Sequence, residues 1–242
     1  MGRVVTTDQA PRPAPPPSPG FAWRLLSPIG AVVLSLIVLI ILGGALFATD
    51  LGDQSVGAIV TFLTSLLLLV FGVLLWRRLP AIDRRRAIRP GWPPIGSIGL
   101  GMALGLGIVI GAGLIIVAGA ALDPVVERRI NEVEDIGTQP WQLILTVTAL
   151  VILAPLGEEL LFRGLILRAL VRKLRFWPSA LISAVLFTSA HADAYILWPR
   201  TISLIGTGVL LAWIYRERGY WASVSAHATV NTIAAVALVA SP

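Results

Sequence analysis

Residues 153–166 read LAPLGEELLFRGLI, which sets two adjacent carboxylates, Glu158 and Glu159, and one guanidinium, Arg163, into a segment otherwise suited to lipid. From Leu143 to Phe162 nothing else is charged. An apolar run of ~20 residues matches the ~30 Å hydrocarbon layer of a bilayer at 1.5 Å per helical residue. Ionisable groups at that depth cost a few kcal/mol each even on lenient scales, and they face a protein interior or a water-filled cavity. The stretch therefore predicts a membrane helix with something to do.

The rest of the chain has the same character. Of its 242 residues, 56% are hydrophobic and 13% charged, and the apolar residues are bunched into long runs. That excludes an ordinary soluble domain, and the alternation expected of membrane-barrel strands is absent. The predicted fold is all-α: a polytopic transmembrane helical bundle of about seven spans. These run at roughly 29–48, 56–76, 97–121, 142–170, 178–191, 201–215 and 221–239. The net charge of +6 does not point to nucleic acid, because the basic residues collect in short loops beside the spans, the footprint of topology and of anionic lipid contact. With no cysteine, disulfides, thiolate metal sites and cysteine nucleophiles are excluded.

Three regions are expected. Residues 1–22 are Pro-rich and read as a disordered cytoplasmic tail rather than a cleavable signal; residues 23–121 carry accessory spans; residues 140–240 form the catalytic core. The six arginines of RRLPAIDRRRAIR (77–89) and the four basic residues of RALVRKLR (168–175) should face the cytoplasm. The intervening LDPVVERRINEVEDIGT, with five acids and two arginines, belongs outside. The N-terminus is then cytoplasmic and the C-terminus external. Trp23, Trp76, Trp92, Trp141, Trp177, Trp198 and Trp221 all fall at predicted span ends, where aromatic side chains anchor at the interface.

The third span contains GLGMALGLGIVIGAG (99–113). Its spacing does not fit a dinucleotide fingerprint and no strand precedes it. Small residues four apart let helix backbones approach closely in lipid, so Gly101, Gly105, Gly107 and Gly111 read as packing positions.

Glu159 and Arg163 are four apart, on one helical face, and predict an ion pair. Glu158 is turned ~100° away and has no partner in its own helix, which leaves it free to exchange a proton as a general base does. The chain has only two histidines, both in apolar surroundings: FTSAH ends at His191 and HATVN begins at His227. Counted along their spans, His191 lies ~20 Å and His227 ~10 Å from the cytoplasmic side, depths that overlap that of the glutamates. Asn231 sits one turn beyond His227. Carboxylate, imidazole and amide are the groups needed to activate a water and stabilise an oxyanion. Pro155 lacks an amide hydrogen and should loosen the helix above Glu158. Asp193 and Tyr195 read as exterior-loop residues, and YRERGYW (215–221) as a tight cytoplasmic turn.

EELLFR (158–163), FTSAH (187–191) and HATVN (227–231) fit Glu-Glu-x-x-x-Arg, Phe-x-x-x-His and His-x-x-x-Asn, in that order on successive helices. Over residues ~140 to 235 the chain resembles the CPBP (Abi) family of intramembrane proteases, relatives of the CAAX-processing endopeptidase Rce1 and of bacteriocin self-immunity proteins. The resemblance implies that Glu158, with His191, deprotonates a water that attacks the scissile carbonyl. It implies oxyanion stabilisation by His227 and Asn231, and supporting roles for Glu159, Arg163 and Phe187. Such proteins are described both as metalloproteases and as metal-free. No His-Glu-x-x-His zinc helix is present. Glu158, Glu159, His191 and His227 could still bind Zn2+ through nitrogen and oxygen, although Asn231 beside His227 reads more naturally as an oxyanion donor.

The expectation is thus an intramembrane endopeptidase of the plasma membrane, in a prokaryote by its arginine-heavy composition. Its partners would be membrane lipid and a membrane-associated peptide or protein substrate. Carboxylate–histidine relays also mark proton-coupled transporters, but no repeat relates the two halves, as transporters often show. A non-catalytic immunity or binding protein that keeps the motifs is the third reading.

Overall fold

The computed structural model describes residues 19–89, 94–131, 139–191 and 195–240. Among them the chain is all-helical, with no strand. The Pro-rich tail to residue 18, Trp92 and Asp193 lie outside the described residues. Helix α1, Phe21–Phe47, begins inside the segment assigned to the tail and carries Pro28. It is followed by α2, Asp53–Arg77, and by α4, Pro94–Leu122. Next comes the long α6, Pro140–Leu170. These four are long and apolar enough to cross a membrane, and their outer faces are lipid-like, with Ile40, Ile110, Leu114 and Val117 all exposed.

The remaining predicted spans also correspond to helices: α7, Phe176–Ser189; α8, Trp198–Arg218; and α9, Tyr220–Ala240. Two short helices lie in predicted loops: α3, Ala81–Ala87, and α5, Pro124–Asn131. Local chemistry sets several ends. Gln139 and Gln142 form a reciprocal capping box with Pro140 in the first turn of α6. The Asp123 carboxylate accepts from the Val125 amide at the start of α5. Between α8 and α9 the reversal rests on Gly219 alone, whose φ of 88° suits a residue without Cβ.

Helix α6 is the centre of the bundle: every residue from Glu159 to Leu167 is buried. Its Leu161, Phe162 and Ile166 pack with Phe187 of α7, Leu204 of α8 and the inner faces of α1 and α2. The helix is not regular. Residues Thr148–Leu153 and Glu159–Leu167 are π-helical, flanking the short α-helical turn Ala154–Glu158. Pro155 lies in that turn and removes one backbone donor there. Such π segments recur at functional sites.

Helix α9 packs along α4, and the glycine-rich span makes that approach close. A Cβ on Gly101 would strike Ala222 and Ser225, and one on Gly105 would come within 2.6 Å of the Ala226 carbonyl. Gly107 and Gly111 meet nothing within 4 Å, so only half of the glycine pattern serves this contact.

Six of the tryptophans predicted at span ends lie within three residues of a helix terminus. The two basic segments and the end of α8 meet at one end of the bundle, where Arg86, Arg89, Arg168 and Arg216 line a single pocket. At the same end, Asp83 bridges Arg24 of α1 at 2.8 Å and Arg172 at 2.9 Å. The indole of Trp198 reaches Asp123 at 3.3 Å, joining the start of α8 to the end of α4.

Candidate active site

The two glutamates of the opening stretch sit in different surroundings. Glu159, in the π-helical segment, has its carboxylate buried against one cation and two hydrogen-bond partners. Arg163 Nη1 lies 2.8 Å from Oε1, and His227 Nδ1 of α9 lies 3.0 Å from the same oxygen. The Ser223 hydroxyl donates to Oε2. Arg163 is held in turn: its Nη2 donates to the Gly208 carbonyl of α8 at 3.2 Å, and its guanidinium lies 4.7 Å from the centre of the Phe187 ring. Residues from α6, α7, α8 and α9 therefore converge on one ion pair.

Glu158, one position earlier, has no such company. Its Oε2 is buried yet, among the described residues, without a hydrogen-bond partner. The facing group is His227 Nε2, 3.9 Å away, beyond hydrogen-bond range.

Hydrogen bonding assigns the imidazole tautomers. An ionised Glu159 can only accept, so His227 Nδ1 carries the proton that bridges to it. In the neutral ring Nε2 then holds a lone pair, and only the doubly protonated ring donates from Nε2. His191 ends the predicted fifth span, just beyond α7, and its Nδ1 lies 2.9 Å from the Phe187 carbonyl. A carbonyl also only accepts, so His191 presents Nε2 as an acceptor.

Phe187 is the common neighbour. Its ring centre lies 4.6 Å from the His191 ring, 5.8 Å from that of His227 and 5.3 Å from that of Phe162. Asn231 Nδ2 donates to the Leu150 carbonyl at 2.8 Å, in the first π-helical segment of α6. One of its two N–H groups remains.

The structure thus brings Glu158, Glu159, Arg163, Phe187 and His227 into one cluster and sets His191 against the edge of it through Phe187. No hydrogen bond joins His191 to Glu158 among the described residues; the imidazole facing Glu158 is that of His227. Sequence reasoning missed Ser223, the Gly208 carbonyl and Tyr220, whose hydroxyl donates to the Leu156 carbonyl at 2.8 Å. A signal for the first was present: Ser223, His227 and Asn231 recur every fourth residue and share a helical face.

The zinc set fares less well. Among the described residues no three His, Asp or Glu side chains converge so as to hold a metal ion. Both Glu159 oxygens already accept hydrogen bonds, and a guanidinium lies 2.8 Å from one of them. The residues as arranged do not fit a zinc shell.

Residues 140–233 match the family described as type II CAAX prenyl endopeptidase Rce1-like. The matched segment is less than half of the chain. It holds all three motifs and every side chain of the cluster just described, whereas the helices before Pro140 lie outside the match. The chain is also 33% identical over 99 residues to the "Putative membrane peptidase YdiL" of Bacillus subtilis (strain 168), an overlap of 40% of this chain and 38% of that protein. The chain thus spans well under half the length of the curated relative it matches. No solved structure matches the chain.

Proposed function

We propose that the protein is an intramembrane endopeptidase of a prokaryotic plasma membrane, hydrolysing a peptide bond in a membrane-associated peptide or protein. The observation that carries this reading is the contrast between two neighbouring carboxylates at one depth. Glu159 is saturated by Arg163, His227 and Ser223, while Glu158 is buried with an unpartnered oxygen. A structural salt-bridge cluster has no use for the second, and a general base does.

In this mechanism Glu158 takes a proton from a water whose oxygen attacks the scissile carbonyl, and later passes it to the leaving amine. His191, its Nδ1 fixed on a backbone carbonyl, offers Nε2 as the second acceptor that orients the water. The free N–H of Asn231 donates to the developing oxyanion. His227 joins it from Nε2 in the doubly protonated ring, the only form in which that nitrogen donates. Each such donor is worth about 10²–10³ in turnover. The likeness to an Rce1-like family and to a membrane peptidase supports the reaction class; neither names the substrate of this chain.

The test is cleavage of membrane-peptide substrates by purified, detergent-solubilised protein, wild type against Glu158→Gln, each with and without a chelator. Glutamine keeps the shape and cannot take the proton. Loss of cleavage in the variant, with wild type indifferent to chelation, is the expected result. An active Glu158→Gln protein removes Glu158 from the mechanism, and chelator-sensitive wild type overturns the metal-free form of it.

A further inference from the structure

At the basic end of the bundle, away from the glutamate cluster, a cavity of about 170 Å³ is lined by Arg86, Arg89, Arg168 and Arg216 with Tyr215 between them. Among the described residues no carboxylate lines it. Of the acids nearby, Asp83 holds Arg24 and Arg172, and Glu217 lies 3.3 Å from the cavity's own Arg216 but is not part of the lining. Four guanidiniums around one cavity repel one another unless an anion sits among them.

The pocket is built rather than incidental. Tyr215 is buried, and its hydroxyl donates to the Ala87 carbonyl at 2.9 Å, fixing the Arg86–Arg89 segment over the cavity. Arg216 is held by stacking, 4.5 Å from the centre of the Phe176 ring. The remaining walls, Leu167, Val171 and Phe176, are apolar. A pocket with guanidiniums at its mouth and an apolar wall beside them fits a phosphate group attached to hydrocarbon better than a hydrated inorganic ion.

We propose that this cavity binds the phosphate headgroup of an anionic phospholipid from the leaflet on the basic side of the protein. Arginine suits phosphate through its planar fork of donors, and basic pockets between membrane helices are a recurring form of headgroup site. The cavity is lined by Leu167, the last residue of the helical segment bearing Glu159 and Arg163, and by Arg168 just after it. A bound lipid would therefore brace the end of α6 against α3 and α8. The inference concerns lipid binding and does not depend on the chemistry at Glu158.

Native mass spectrometry of the full chain, extracted from vesicles of equal phosphatidylglycerol and phosphatidylcholine, reads the site directly. Wild type should retain phosphatidylglycerol over phosphatidylcholine. Arg86→Gln/Arg89→Gln, two exposed positions whose replacement leaves the core intact, should lower that retention roughly tenfold or more. Arg77→Gln/Arg78→Gln, exposed at the end of α2, should leave it unchanged. Equal loss in both double variants would reduce the effect to diffuse surface charge and overturn the site. So would retention of the two lipids alike. Thermal stabilisation by inorganic phosphate equal to that by phosphatidylglycerol would replace the lipid with a free anion.

Discussion

His227 Nδ1 lies 3.0 Å from Glu159 Oε1, the same oxygen that Arg163 Nη1 approaches at 2.8 Å. One carboxylate atom thus neutralises the guanidinium on its own helix and sets the tautomer of an imidazole on another. Removing its charge has two consequences that separate. Glu159→Gln leaves Arg163 buried without a counter-ion, which costs about 3–5 kcal/mol and should appear as a large drop in detergent melting temperature. Glu158→Gln removes no hydrogen-bonded group and should leave that temperature close to that of wild type. Adding Arg163→Met to Glu159→Gln should recover much of the lost stability, since an apolar replacement of a buried pair is often neutral. The double variant should not recover cleavage, because His227 stays unanchored. Equal melting of the two single glutamine variants would contradict the division of labour between the carboxylates.

Ser223 gives a finer test of the same carboxylate. Its hydroxyl donates to Glu159 Oε2 and also lies 3.0 Å from the Leu211 carbonyl, in a spot with no exposure at all. Ser223→Ala removes one donor from a buried anion without adding bulk. The expected cost is about 1–3 kcal/mol, with turnover reduced through the loosened Glu159–His227 pair and KM little changed. A rise in KM alone, with turnover unchanged, would place Ser223 in substrate contact instead.

The fold was legible because each predicted span carries its own apolar run, and hydrocarbon thickness leaves few choices of length. Membrane helices need not hide their periodicity, so the spans at 97–121 and 142–170 were read within three residues. The Glu159–Arg163 pair followed from spacing alone. Hidden were the features set by neighbours. The π-helical turns of α6 depend on how the backbone donors around Pro155 are reassigned. The choice of His227, rather than His191, as the imidazole facing Glu158 depends on the relative rotation of α6 and α9. Asp83 is the one acid among the six arginines of residues 77–89, and only packing makes it a hub. Of the glycines in the third span, spacing could not tell Gly101 and Gly105, which touch α9, from Gly107 and Gly111, which do not.

Asp83 of α3 ties α1 to the segment that follows α6. It bridges Arg24, itself 8% exposed, and Arg172, 44% exposed. The exposed arm contributes about 1 kcal/mol or less, whereas loss of the buried arm strands the Arg24 guanidinium. Asp83→Asn should therefore free α1, measured as faster amide exchange over residues 21–32 with α6 still protected. Arg172→Gln should change that exchange little. If both variants release α1 equally, the exposed arm carries the contact.

The glycines of α4 allow a test with an internal control. At Gly105 a Cβ would lie 2.6 Å from the Ala226 carbonyl and 2.8 Å from Thr229 Cβ, both on α9 next to His227. At Gly107 it would meet nothing. Alanine favours helix over glycine by about 0.5–1 kcal/mol, so Gly107→Ala should be neutral or stabilising. Gly105→Ala gains the same propensity but must push the helices apart, at about 1–3 kcal/mol. Because α9 carries Ser223, His227 and Asn231, that displacement should also lower turnover, and a misplacement near 1 Å costs about 10²-fold. Melting temperature and cleavage measured on the two alanine variants decide it. If Gly105→Ala matches Gly107→Ala in both, then α4 does not set the position of the histidine helix.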